Sequence, residues 1–204
     1  MFNTKEKRER SLNTKLFLKA YLCNSVKCSM IRNPQRPGLH GKVFRRNPSE
    51  FGQQLMEKQK IKASYGLREK SFLKIFKTAS KSKAETGSKL LELLERRLDN
   101  TVYRAGLAPS RSVARQLVGH GHILVNNKRT TTPSYLLKSG DIVSIRSQSI
   151  NIGPFKNLAN TLKNYDAPAW LLIDRDKLAA KVESNPKDIE HIFDLEKVID
   201  YYSK

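Results

Sequence analysis

The apolar positions of this chain fall into three regimes. From about residue 50 to 105 they recur at helical spacing, and from 123 to 145 they cluster in short β-branched runs between turn residues. In the first 48 positions no period is sustained. Pro48-Ser49 predicts a helix start with Ser49 as N-cap and with Phe51, Leu55 and Met56 as its apolar stripe. Gly66 ends it. A second helix over 67–80 turns Phe72, Ile75, Phe76 and Ala79 towards a core and Lys70, Lys74, Lys77 and Lys81 the other way. After Thr86-Gly87-Ser88 one longer helix is expected, with Leu90, Leu94, Leu98 and Val102 as an i, i+4 ladder, ending near Gly106.

Pro109-Ser110 opens a further short helix, which Gly121 closes. Counted from Arg111 at 100° per residue, Val113, Ala114, Leu117 and Val118 share an apolar arc of roughly 140°. Arg111, Ser112, Arg115, Gln116, Gly119 and His120 fill the opposite side. One face suits a core; the other offers two guanidinium groups, an amide and an imidazole beside a glycine. Such a face suits phosphates and splayed bases. Ile123-Leu124-Val125 with Asn126-Asn127 predicts a strand and tight turn, 138–141 a second turn, and Ile142 to Ile145 another strand. Gly153-Pro154 breaks the chain, 156–163 reads as a short linking helix, and Trp170 to Ile173 as a buried strand. From 189 to 202 apolar and acidic residues alternate, which lets the end of the chain pack back on the first helices. Near the start, 14–22 reads as a short helix and 33–41, with two Pro and two Gly, as loop.

Charge gives this pattern a direction. The 204 residues carry 39 Lys and Arg against 19 Asp and Glu, a net +20. Residues 1–90 hold 22 basic and 6 acidic side chains, 91–150 hold 9 and 4, and 151–204 hold 8 and 9. The first part is therefore an electrostatic anchor for a polyanion, and the last quarter is structural. Hydrophobic content of 38% with 8% aromatic residues is lean, as in a protein ordered partly by its partner. No apolar run approaches the roughly 18 residues of a membrane span. The start, MFNTKEKRER, lacks the apolar centre of a signal peptide, and Glu6 and Glu9 are out of place in a transit peptide. The expectation is no membrane and residence in the compartment of synthesis. Cys23 and Cys28 supply two thiols with His40 as the nearest further ligand, whereas structural zinc needs four. No metal and no other cofactor is expected.

Several stretches resemble the small-subunit ribosomal protein S-four family in its bacterial form. RPGLHG at 36–41 resembles its P-G-x-H-G loop, and FGQQLMEKQKIKASYG at 51–66 resembles its Y-G-x-Q-L-x-E-K-Q-K segment leading to Y-G. LLELLERRLDNTVYRAGLAPSR at 90–111, ARQLVGHGHILVN at 114–126, PSY at 133–135 and the terminal YYSK follow in order. The resemblance implies an α+β chain: a mainly helical domain split in sequence, with an inserted RNA-binding module of two helices packed on a small antiparallel sheet. The boundaries expected are a basic arm over 1–48, a helical domain over 49–90 plus 189–204, and an insertion over 91–188 with the module at about 96–150. Two departures stand out. Many relatives carry four cysteines near the start as a zinc site, but here Glu6 and Glu9 stand where the first pair belongs. Asn127 replaces the usual Gly, at small cost because Asn tolerates positive φ.

Composition, face analysis and resemblance together nominate RNA-binding residues. They are Arg36, Gly38, His40, Arg45, Arg46, Lys58, Lys60, Lys62, Tyr65, Arg104, Ser110, Arg111, Arg115, Gln116, Gly119, His120, His122, Asn126 and Lys128. No catalytic residue is nominated. The implied role is a structural, rRNA-binding constituent of the small ribosomal subunit that joins early in assembly. By resemblance it lies beside ribosomal proteins S-three and S-five where mRNA enters, and influences decoding accuracy. The compartment implied is the cytoplasm, on the ribosome, or an organelle with its own ribosomes. Two rivals carry the same module: an RNA-modifying enzyme, whose catalytic motif Arg97-Leu98-Asp99 echoes, and a stand-alone RNA binder. The 54 residues after 150 are few for a catalytic domain, and Asp99 reads as a plain polar helical position.

Overall fold

A computed structural model describes residues 4–43, 46–150, 153–155, 158, 162, 165–187 and 189–203. The chain divides into two compact units: residues 1–87 with 190–204, and residues 88–189.

The first unit is helical. It contains α1 (Thr4–Leu12), α2 (Ala20–Cys23), α3 (Ser29–Arg32), a 3₁₀ turn at Leu39–Lys42, α4 (Glu50–Ser64) and α5 (Glu69–Ser80). It is completed by α9 (Leu195–Ser203). Ser49 caps α4 by accepting from the Gly52 N–H at 3.3 Å. Gly66 ends it at φ +63°, a left-handed position that costs glycine little. α9 packs on α4, as its alternating pattern predicts. The Tyr202 ring lies 4.6 Å from that of Phe76, and the Tyr201 ring 5.6 Å from that of Phe51.

Two expectations fail in this unit. The first 48 residues are not an aperiodic arm: α1 lies against α3 and α4 around buried Leu12, Leu16, Cys23 and Cys28. The helix expected over 14–22 shrinks to α2. The second failure concerns α4, which buries Gln54, Lys58, Ile61 and Ser64 rather than the Phe51, Leu55, Met56 stripe. The face that α9 covers decides which side of α4 is inside.

The second unit packs α6 (Thr86–Glu95, which begins in the first unit), α7 (Leu98–Arg104) and α8 (Arg111–Gly119) with an antiparallel sheet. Its described strands are β1 (Ile123–Val125), β2 (Lys128–Arg129), β3 (Ile142–Ile145), β4 (Leu171–Asp174) and β5 (Ala179–Val182), in the order β2-β1-β3-β5-β4. Register alternates as a two-residue period demands: Ile123, Val125, Val143, Ile145, Ala180, Val182 and Leu171 enter the core. They meet Leu98, Val102, Leu107, Ala114, Leu117 and Val118 from the helices. Asn126 and Asn127, at φ +50° and +65°, make the two-residue turn that pairs Val125 with Lys128. β5 escaped the sequence reading because Ala179-Ala180 has little strand propensity. The linking helix expected over 156–163 lies mostly outside the described residues; Leu158 and Leu162 are buried in this core.

The single helix expected over residues 90–105 is broken at 96–97. Arg97 is extended (φ −65°, ψ 137°) and bridges to Leu136. The amides freed by the break are not lost. Leu98 N–H donates to Tyr135 O at 2.8 Å, Asp99 N–H to Pro133 O at 3.1 Å, and Leu137 N–H to Arg96 O at 2.9 Å. The Pro-Ser-Tyr segment thus caps α7 with its carbonyls.

Candidate nucleic-acid interface

In α8 the sequence's two faces are realised. Ser110 accepts from the Val113 N–H at 3.4 Å and starts the helix. Ala114, Leu117 and Val118 are buried, while Arg115, Gln116, Gly119 and His120 stand exposed on the other side. Ser110, nominated as an RNA ligand, is mostly buried, and its hydroxyl accepts the helix-cap bond. Gly121 (φ +76°) closes the helix, and a Cβ there would sit 2.1 Å from Arg129 Nε. Arg129 donates to the His120 carbonyl at 3.3 Å and folds over the end of α8. It joins Lys128 and His120 on this surface, although the sequence reading did not nominate it.

Beneath α8 lies a buried ionic network centred on Glu95, whose side chain is 1% exposed. Arg104 grips that carboxylate through Nε and Nη2 at 2.9 and 3.1 Å, and Asn100 Nδ2 donates to it at 2.8 Å. Arg111 donates from Nε to Asn100 Oδ1 at 2.8 Å, approaches Glu95 at 3.9 Å, and lies 4.7 Å from the Tyr103 ring centre. Beside it, Arg97 holds Asp99 bidentately at 2.8 and 3.1 Å, and Arg115 reaches the same carboxylate at 3.8 Å. Arg104 and Arg111 are therefore partly committed to the fold, whereas Arg115, with a side chain 49% exposed, keeps about half of its surface for solvent. Asp99, expected at an ordinary polar helical position, is buried and fully engaged.

Other nominated residues sort the same way. Asn126 bridges β1 and β3: its amide donates to Asp141 Oδ1 and its carbonyl oxygen accepts from Ile142 N–H, both at 2.9 Å. His122 is half-buried, with Nδ1 2.9 Å from Ser149 Oγ. In the helical unit Lys58 is buried, not presented to a partner. Its ammonium sits 3.1 Å from Glu69 and 4.0 Å from the Tyr201 ring centre. Tyr65 is buried too, its ring 6.4 Å from that of Phe193. Lys62 pairs with Glu69 and Lys60 with Glu57. Partial burial pushes the Glu69 carboxyl up, but hydrogen bonds from Lys62, Tyr202 and Lys58 outweigh it and hold the group at about 2. Burial, and then the bond to Glu69, raise the Tyr202 phenol.

Arg36, Gly38, His40 and Arg46 are exposed, and Arg45 lies outside the described residues. Arg10 fastens the loop, donating to Gln35 O at 2.7 Å and to Arg36 O at 3.4 Å. Gly41 is needed there, since a Cβ would fall 2.0 Å from Arg36 O.

Comparison with known proteins settles the relationship. The Ribosomal protein S4/S9 N-terminal domain matches residues 2–95 and the S4 domain matches residues 96–143. The small ribosomal subunit protein uS4 of Halothermothrix orenii is 43% identical over 193 residues, 93% of this chain and 92% of its own. That of Magnetococcus marinus is 45% identical, covering 94% and 92%, and that of Desulfotalea psychrophila 43% identical, covering 97% and 95%. This chain belongs to the ribosomal protein S4 family. The junction of the two S4 matches, at 95/96, falls on the break between α6 and α7. The S4 domain therefore begins where Glu95 anchors the arginines.

The zinc site that the family resemblance implies does not fit the residues present. Glu9 is fully buried; its Oε1 accepts from the N–H groups of Leu16 and Leu18 at 3.0 and 3.1 Å. The Cys23 thiol lies 3.9 Å from both carboxylate oxygens. Glu6 is paired with Lys19 at 3.3 Å. Among the described residues no group of three or more His, Cys, Asp or Glu side chains is placed to hold a metal ion. Burial, its largest influence, raises the Cys23 thiol and so disfavours the thiolate that zinc requires. A carboxylate that takes two backbone amides closes this loop instead.

Proposed function

We propose that this chain is a structural constituent of the small ribosomal subunit, which binds small-subunit rRNA directly and early in assembly. The observation that carries the reading is the pair of adjoining family matches, over residues 2–95 and 96–143, on a chain of net charge +20. Arg115, Gln116, Gly119, His120, Lys128 and Arg129 make the contact surface of the second unit, and Arg36, His40 and Arg46 that of the first. Binding is by counterion replacement at phosphates, with the exposed amide and imidazole fixing register. Adjacent ribosomal proteins, S-three and S-five, and mRNA where it enters are the remaining partners, and the compartment is the ribosome-bearing cytoplasm.

The role is binding without catalysis. Asp99, which would have to be the catalytic carboxylate of the enzyme reading, is 4% exposed and locked to Arg97. Mass spectrometry of small subunits purified through a high-salt wash tests the proposal. One copy per subunit is expected. Absence from the subunit, or failure of the pure protein to bind a small-subunit rRNA transcript more tightly than an unrelated RNA, overturns it.

A further inference from the structure

The lysines nominated on α4 and the lysines of α5 differ in one respect: who neutralises them. Lys58 and Lys62 share Glu69, and Lys60 has Glu57. On α5, Lys70, Lys74, Lys77 and its C-cap Lys81 are all exposed, and among the described residues none of the four forms an ion pair with a carboxylate. At 100° per residue they lie within an arc of about 60° and span about 16 Å along the axis. Phe72, Phe76 and Ala79 occupy the opposite, buried side. The stripe borders a shallow depression of about 440 Å³ that Leu73 and Thr78 also line. Glu69, the carboxylate at the start of this helix, is already taken by Lys58, Lys62 and Tyr202.

We infer that this stripe is a phosphate-binding surface of the helical unit, taking the sugar–phosphate backbone of RNA without regard to base sequence. The inference deepens the rRNA reading and rests on it. Four like charges within one arc repel one another and cost helix stability, so they are tolerable where a polyanion screens them. Lysine ammonium groups act as point charges on phosphates and carry no pattern for reading base edges. A protein partner fits less well. The stripe offers no exposed aromatic or large apolar anchor of the kind that dominates protein interfaces, Leu73 being half-buried.

The test uses the full-length chain with Lys70, Lys74, Lys77 and Lys81 all changed to Gln, which keeps helix propensity and removes four charges. A control loses the same charge through Gln at Lys138, Lys177, Lys181 and Lys187, exposed positions elsewhere. Affinity for a small-subunit rRNA transcript and for a hairpin of arbitrary sequence is measured across a salt series. Removing four phosphate contacts should flatten the log–log salt slope by about 3 units on both RNAs, with helical circular dichroism unchanged. The control should flatten it by less than about 1 unit. Equal flattening in both variants reduces the effect to net charge and overturns the inference, as does an unchanged slope in the α5 variant. In the latter case the rRNA reading survives if the wild-type chain binds; if the wild-type chain does not bind, both readings fall. Retained RNA binding with loss of an acidic protein partner from assembled subunits also overturns it.

Discussion

Replacing Glu95 should reveal how the second unit carries four arginines around α7 and α8. The Glu95→Ala change removes the acceptor of four side-chain contacts: two from Arg104, one from Asn100 and the longer approach of Arg111. Breaking a buried ion pair from one side costs about 3–5 kcal/mol, because the abandoned charge remains in low dielectric. Here the abandoned guanidinium groups are not sealed in: the Arg104 and Arg111 side chains are 28% and 18% exposed and recover part of their hydration. We therefore expect about 2–3 kcal/mol for Ala. Glu95→Gln keeps an acceptor for Asn100 but exchanges charge-assisted bonds for neutral ones, so about 1–2 kcal/mol is expected. For a chain of this size that corresponds to a Tm lower by about 4–12 °C for Ala. Urea unfolding of Glu95→Gln, Arg104→Gln and the double variant supplies the coupling, which should be favourable by about 1 kcal/mol or more. The reasoning is refuted if Ala and Gln cost the same, or if the coupling vanishes.

Further expectations concern single sites. Leu117→Asp buries an uncompensated carboxylate and should unfold the S4 domain, whereas Arg115→Ala should leave the circular dichroism intact and weaken RNA binding several-fold. Arg111→Ala should do both in part, losing stability by about 1 kcal/mol through Asn100 and Tyr103. Because the Glu69 carboxyl is held below its ordinary 4.5, at about 2, the stability it provides is complete above pH 5 and disappears as pH falls from 4.5 towards 2. Acid titration of unfolding should show this loss, and Glu69→Gln should remove its share of the slope; an unchanged slope would contradict the assignment. Glu9→Ala leaves the Leu16 and Leu18 amides without their acceptor. It should cost about 2–4 kcal/mol and increase hydrogen exchange over residues 4–30, with Glu9→Gln milder. Elemental analysis of the ribosome-bound protein should find no zinc; one tightly held ion, lost on Cys23→Ser, would overturn the carboxylate-closed loop.

What the sequence determined by itself was local. The faces of α8, its Ser110 cap, the Gly66 and Gly121 stops and the Asn126-Asn127 turn each depend on φ/ψ preferences and side-chain spacing within a few residues. The concentration of positive charge before residue 90 was equally legible, being a property of composition. Tertiary structure decided whatever depended on a distant partner. α6 and α7 separate at Arg97 because residues 133–137, some 40 positions later, take up the freed amides; nothing between 90 and 105 encodes that. Lys58 and Tyr65 look like presented RNA ligands until Phe193, Tyr201 and Tyr202 arrive from the end of the chain and cover them. Arg104 and Arg111 look like free cations until folding places Glu95 and Asn100 beneath them. A basic residue announces its charge in the sequence, but only the fold decides whether a carboxylate, an aromatic ring or a phosphate receives it, because screening and burial are set by neighbours far along the chain.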